Sequence, residues 1–143
     1  RKIIFDLRPM TLDDLGLVPT VKRILDTVKE RSGIIPAIRV LGEERRLDSY
    51  VEVGIFRTIQ EAVNNIEKHA EATVINLVIE FRRDILSVTI EDNGKGFDTA
   101  ENVGSESFGL LGMRERINLL NGEFTIKSLK GTGTKISVKV HLK

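Results

Sequence analysis

Cysteine is missing from all 143 residues. Its absence rules out disulfides and thiolate metal sites and suits a reducing compartment. No apolar run approaches the roughly 18 residues that a membrane span needs, and no signal peptide is visible. Excess charge is also lacking: 22 Lys and Arg face 21 Asp and Glu, a net charge of +1. That balance supports neither a nucleic-acid role nor an acidic substrate. The chain opens at Arg1 rather than Met, in mid-pattern, and reads as a fragment of something longer.

What is present is enough chain for one domain with a real core. "RKIIFDLRP" reads as the last turns of a helix stopped at Pro9, followed by "MTLDDLG" as a polar connector in which Asp13 or Asp14 caps the next helix. Val21, Ile24, Leu25 and Val28 have helical spacing, with Gly33 as the stop. "AIRVLG", between Pro36 and Gly42, is a short strand. The strongest helix spans residues 48–69, with Phe56, Ile59, Val63 and Ile66 on one face. "TVINLVIEFRRDILSVTIED" gives two strands turning near Arg83 and Asp84. "GLLGMRERINLLNG" is a helix ending at Asn121 and Gly122, and "EFTIKSLKGTGTKISVKVHL" is a closing hairpin. This order predicts an α+β fold, a two-layer α/β sandwich. Helices should cover one face of a mixed, mostly antiparallel sheet.

Two features go beyond a core pattern. At about 100° per residue, Glu61, Asn65 and Lys68 share one polar stripe of the long helix, with His69 beside it. A solvated face explains such a stripe. So does a ligand face: Asn offers a hard neutral oxygen to magnesium, Lys a point charge to phosphate, and Glu a base or an orienting group. The second feature is three glycine clusters, "DNGKGF" after a strand, "GLLGM" opening a helix and "GTGT" in a hairpin turn. Each alone reads equally well as a turn or a packing device.

Together, "QEAVNNIEKH", "DNGKGF", "FGLLGM" and "GTGT", in that order, resemble the N box and three G boxes of the GHKL ATPase superfamily and its Bergerat ATP-binding fold. The likeness spans nearly the whole chain and is strongest to the catalytic and ATP-binding domain of sensor histidine kinases. "LRP…LDDLGL" and "FGLLGMRERI" resemble the subgroup paired with NarL-type response regulators, to which DegS-like kinases belong.

The resemblance implies ATP and Mg2+ as ligands. It implies Glu61 as the acidic, catalytic residue of the N box, Asn65 as magnesium ligand, Lys68 near the phosphates and His69 closing the box. Asp92 would accept a hydrogen bond from the adenine amino group, with Gly94 and Gly96 letting the backbone approach. Gly109, Leu110 and Gly112 would form the base of an ATP lid over residues 99–107, and Gly131, Thr132, Gly133 and Thr134 the last box. Asn64 beside Asn65 leaves a one-residue ambiguity, which the stripe and the box both resolve toward Asn65.

Only His69 and His141 are present, and neither lies in the helical context of a phosphoacceptor. Residues 1–9 are therefore expected to be the end of a dimerisation helix and 10–143 the catalytic domain. The acceptor histidine would lie on a separate dimerisation domain, and a response regulator would receive the phosphoryl group. The resemblance further implies a cytoplasmic, two-component signalling role without direct nucleic-acid binding. The fragment is expected to be monomeric and the parent homodimeric. The alternative is a serine kinase of the same fold, like the anti-sigma-factor kinases.

Overall fold

The computed structural model describes residues 9–97 and 109–142. Two helices come first, α1 (Met10–Leu15) and α2 (Leu17–Ser32), then strand β1 (Ile35–Gly42). A long helix α3 (Ser49–Asn65) runs directly into a π-helical turn (Ile66–Ala70). Strands β2 (Val74–Phe81) and β3 (Ile85–Asp92), helix α4 (Leu110–Leu119) and strands β4 (Gly122–Leu129) and β5 (Gly133–His141) complete the order. The sheet runs β1-β2-β3-β5-β4, parallel between β1 and β2 and antiparallel elsewhere. This is the expected α+β sandwich.

The core forms where helical and strand periods agree. Val21, Leu25 and Val28 of α2, and Phe56, Ile59, Val63 and Ile66 of α3 and its extension, are all buried. They meet the inward rows of the sheet, among them Ile75, Leu77, Ile79, Leu86, Val88, Ile90, Val138 and Val140. The α2 helix stops as expected at Gly33, whose φ of 75° is easy only for glycine and whose N–H reaches the Lys29 carbonyl at 2.9 Å. Pro36 is tolerated because β1 is an edge strand.

Two local expectations fail. "MTLDDL" is a helix, not a connector. Pro9 at its start is preorganised at φ −65°, and Leu12 is 1% exposed. One buried leucine anchors a segment whose other residues gave no periodic signal, and neither Asp13 nor Asp14 caps α2, whose N-cap position is Gly16. At the other end, α4 runs to Leu119 and is closed, as expected, by Asn121 at φ 62°, and Gly122 then begins β4. Leu120 turns inward over Gly54, where a Cβ would meet its side chain.

The loop after β1 is tied down by Glu52, a carboxylate only 3% exposed. Arg46 holds it with two contacts, Nε–Oε2 at 3.0 Å and Nη2–Oε1 at 3.1 Å, and the Leu47 N–H donates at 3.1 Å. Arg46 also reaches the Leu12 and Asp13 carbonyls, so α1, the loop and α3 meet at one guanidinium. Among the described residues, no helix is long and apolar enough to cross a membrane. The reading of residues 1–8 as a helix end lies outside the described residues.

Candidate functional site

The inward row of β3 reads Leu86, Val88, Ile90, Asp92, so the strand's period-two pattern carries a carboxylate to a position built for apolar side chains. Asp92 is 6% exposed. The Gly94 N–H donates to its Oδ1 at 2.7 Å, and the Thr134 backbone also donates to it. Burial nevertheless dominates and raises its pKa above the usual carboxylate value, and the charge of Glu91 adds to the rise.

The native fold therefore holds this proton more tightly than the unfolded chain does. The contribution to stability is greatest below the ordinary aspartate pKa and is lost as pH rises through the raised one. Asp92→Asn is expected to melt higher than the wild type, with a larger gap near neutral pH than near pH 4. Thermal melts across that range check it.

Asp92 lies at the wall of a cavity of about 120 Å³. Ala62, Ile66, Ile90, Phe97, Ile126 and Ile136 make its apolar walls, and Asn65, His69, Asp92, Lys95 and Thr134 its polar points. Ala70, Gly96 and Leu110 complete the lining. The structure thus brings together Asn65, His69, Asp92, Gly96, Leu110 and Thr134 of the residues singled out in the sequence. Asn64 is exposed and outside the lining, so the cavity takes Asn65 of the pair.

The remaining candidates lie apart from this lining. Glu61 lies against the start of α4, where a Cβ on Gly109 would run into its carboxylate. Lys68 is exposed and not in the lining. The stripe that joined it to Asn65 assumed α-helical steps. Beyond Asn65 the chain is π-helical and turns less per residue, which carries Lys68 away and leaves Asn65 and His69 on one side. Gly112 faces open space, and Gly131 and Thr132 form the β4–β5 turn, with the Thr132 N–H bonded to the Leu129 carbonyl. The lid expected over residues 99–107 lies outside the described residues.

The glycines of "DNGKGF" answer first to the chain itself. A Cβ at Gly94 would strike the Ala70 carbonyl oxygen, to which the neighbouring Lys95 N–H donates at 2.7 Å. Gly96, at φ 63°, has the Leu129 carbonyl in the same position. The loop is therefore clamped between the π turn and the β4–β5 turn. Gly96→Ala is expected to cost about 2 kcal/mol, from the left-handed backbone and the forced shift. Urea unfolding measures it. Asn93 fixes the loop's start, its Oδ1 accepting from the Thr73 and Val74 N–H groups at 2.9 and 3.0 Å.

Sequence reasoning missed Lys95, Phe97 and Ser128. Ser128 is 8% exposed and accepts from the Phe97 N–H at 2.9 Å, while its hydroxyl lies 2.8 Å from that of Thr134. It follows Phe124 and Ile126 at period two, so its inward position was legible in the same way as that of Asp92.

On the other side of the π turn, Glu67 meets Arg31 and Ser32 at the end of α2. The Arg31 hydrogen bonds hold its carboxyl below the usual range against the effect of burial, with help from Ser32. Among the described residues no group of three or more His, Asp or Glu could hold a metal, so a cation here has no carboxylate cage.

The resemblance implied an ATP pocket with Asp92 on its adenine side, and the structure has that acid buried at the wall of an apolar slot. The family model described as histidine kinase-, DNA gyrase B- and HSP90-like ATPase matches residues 50–143. The chain belongs to that ATPase family.

Within the family, this chain is 44% identical over 140 residues to the signal transduction histidine-protein kinase/phosphatase DegS of Brevibacillus brevis, covering 98% of the chain and 36% of that protein. Against DegS of Bacillus subtilis (strain 168) it is 48% identical over 140 residues, covering 94% and 36%. The chain thus spans 36% of the length of each of these curated relatives. Among solved structures, the blue-light activated histidine kinase EL346 of Erythrobacter litoralis superposes with a TM-score of 0.70 at 22% identity, over 88% of this chain and 42% of that one. The expected GHKL membership, DegS-like subgroup and fold therefore hold.

Proposed function

We propose that this chain is the ATP-binding catalytic part of a sensor histidine kinase. It would bind ATP with magnesium and donate the γ-phosphoryl group to a histidine on a separate dimerisation domain. From there the group passes to a response regulator, with the NarL type as the finer expectation. Residues 1–9 belong, on this reading, to the end of a dimerisation helix, and the parent works as a cytoplasmic homodimer. The histidine-kinase names of the relatives favour a histidine acceptor over the serine alternative.

The observation that carries the reading is Asp92, an acid held at the wall of an apolar slot. An adenine ring is flat and largely apolar at its faces, and its amino group is a donor. A buried carboxylate selects a donor, and Thr134 lies beside it on the paired strand, at the register position opposite Asp92. His69, Asn65 and Leu110, the first residue of α4, line the same slot. The start of a helix offers free N–H groups and a favourable dipole to phosphate. The donor set fits magnesium that keeps most of its waters, because Asn65 supplies one neutral oxygen and, among the described residues, no carboxylate cage surrounds it. Magnesium, when bound, neutralises phosphate charge. Glu61 would orient or activate the incoming imidazole, and the residues of the slot hold the base still so that transfer is largely a matter of positioning.

The test is radiolabelled ATP with the chain alone, then with its dimerisation domain added as a second polypeptide. Acid-labile label on the added domain only is the expected result. Label on the isolated chain, or acid-stable label on a serine, would sink the assignment. Asn65→Ala should weaken ATP binding roughly tenfold in magnesium and far less in its absence, since a lost contact of about 1.4 kcal/mol is a factor of ten. Calorimetry with and without chelator separates the two. Equal losses would point to helix damage.

A further inference from the structure

We infer that Arg31 and Ser32, through Glu67, position the nucleotide site by holding the π-helical turn that aims His69 and Ala70 at the cavity beside Asn65. The inference rests on the nucleotide reading of that cavity. Glu67 is bound at both carboxylate oxygens. Arg31 donates from Nε to Oε2 at 3.0 Å and from Nη2 to Oε1 at 2.6 Å, and the Ser32 hydroxyl donates to Oε2. Both residues belong to the last turn of α2, so the tie joins the end of one helix to the π turn. A guanidinium fork on a carboxylate fixes orientation as well as distance. Glu67 is the better buried partner, at 11% exposed against 59% for Arg31.

The turn needs such a tie. π-Helical segments are rare, and they concentrate at functional sites. This one ends at Glu71, whose φ of 55° lies in a region side chains seldom adopt. Its geometry decides which residues face the cavity. Asn65 and His69, four apart, both line it, and the Ala70 carbonyl meets the Lys95 N–H while crowding Gly94. Relaxation to α-helical steps would swing Lys68 back toward the side of Asn65 and move the Ala70 carbonyl off the loop. Glu67 touches none of the cavity itself; it acts through the turn, which makes it and Arg31 positioning residues.

Arg46 provides the control, because its pair with Glu52 has the same two-pronged geometry and holds α1 and the preceding loop to α3 rather than the π turn. Arg31→Ala, Glu67→Gln, the Arg31→Ala/Glu67→Gln double variant and Arg46→Ala are titrated with ATP and magnesium by calorimetry. The temperature is one at which circular dichroism shows every variant folded. Arg31→Ala and Glu67→Gln should each lose about tenfold in affinity, as outer partners of a site commonly do. The double variant should lose no more than either single one, whereas Arg46→Ala should melt lower yet bind like the wild type.

A second readout needs no nucleotide: the Lys95 amide should exchange faster in Arg31→Ala and at the wild-type rate in Arg46→Ala. Unchanged affinity in Arg31→Ala, or an equal loss in Arg46→Ala, overturns the positioning role. A wild-type chain that binds no ATP would instead sink the nucleotide reading. Lys95 exchange then decides alone, faster exchange supporting the tie's hold on the cavity and unchanged exchange overturning it.

Discussion

Asp92→Asn is expected to reduce ATP affinity at least roughly tenfold while leaving the chain folded and, without ligand, more stable. Asparagine keeps the shape and can still accept the Gly94 N–H, which lies 2.7 Å from the carboxylate. It replaces the second oxygen with a donor, or turns a neutral oxygen where a charged one stood. A charge-assisted hydrogen bond is worth about 1.5–3 kcal/mol, and a donor facing the adenine amino group adds an unpaired polar contact. The same substitution removes the cost of burying a charge, which is why binding and stability should move in opposite directions. Calorimetric titration with ATP and a thermal melt of the same samples test both halves. A variant that binds ATP like the wild type would remove Asp92 from the site.

Glu61→Gln should show the reverse division, with phosphoryl transfer to an added dimerisation domain falling about 100-fold or more and ATP affinity changing little. General-base or orienting groups contribute on that scale. Glu61 lies outside the slot lining and against the start of α4, so the slot loses none of its walls when the charge goes. Single-turnover transfer from labelled ATP, at saturating nucleotide, isolates the step. A loss matched by an equal loss of ATP affinity would make Glu61 a binding residue.

Much of this fold was legible because its signals are local and periodic. The α3 face, the two hairpins and the stop at Gly33 each follow from residues a few positions apart. Asp92 was legible twice, as the strand-end acid of a glycine motif and as the polar member of an inward row. The glycine clusters were legible as motifs, yet what excludes a Cβ at Gly94 and Gly96 is the carbonyls of Ala70 and Leu129. No window around residue 94 contains those carbonyls. Helix α1 escaped notice because one buried leucine has no period, and its partners lie in α2, in α3 and at Arg46.

By itself the sequence determined the layers, the strand pairings near in the chain and the set of residue types a nucleotide would need, since these depend on propensity and on spacing within one element. Only the tertiary structure decided which of those residues meet. It carried Asn65 and His69 to the cavity and Lys68 to solvent, because the helix changes pitch after residue 65. It also brought Lys95 and Phe97 to the cavity and joined the Phe97 N–H to Ser128, a contact between the loop after β3 and the closing hairpin. The ties from Arg31 and Ser32 to Glu67 span 36 and 35 residues. A contact at that separation leaves no periodic trace in the chain, because its geometry exists only once α2 and the π turn have packed.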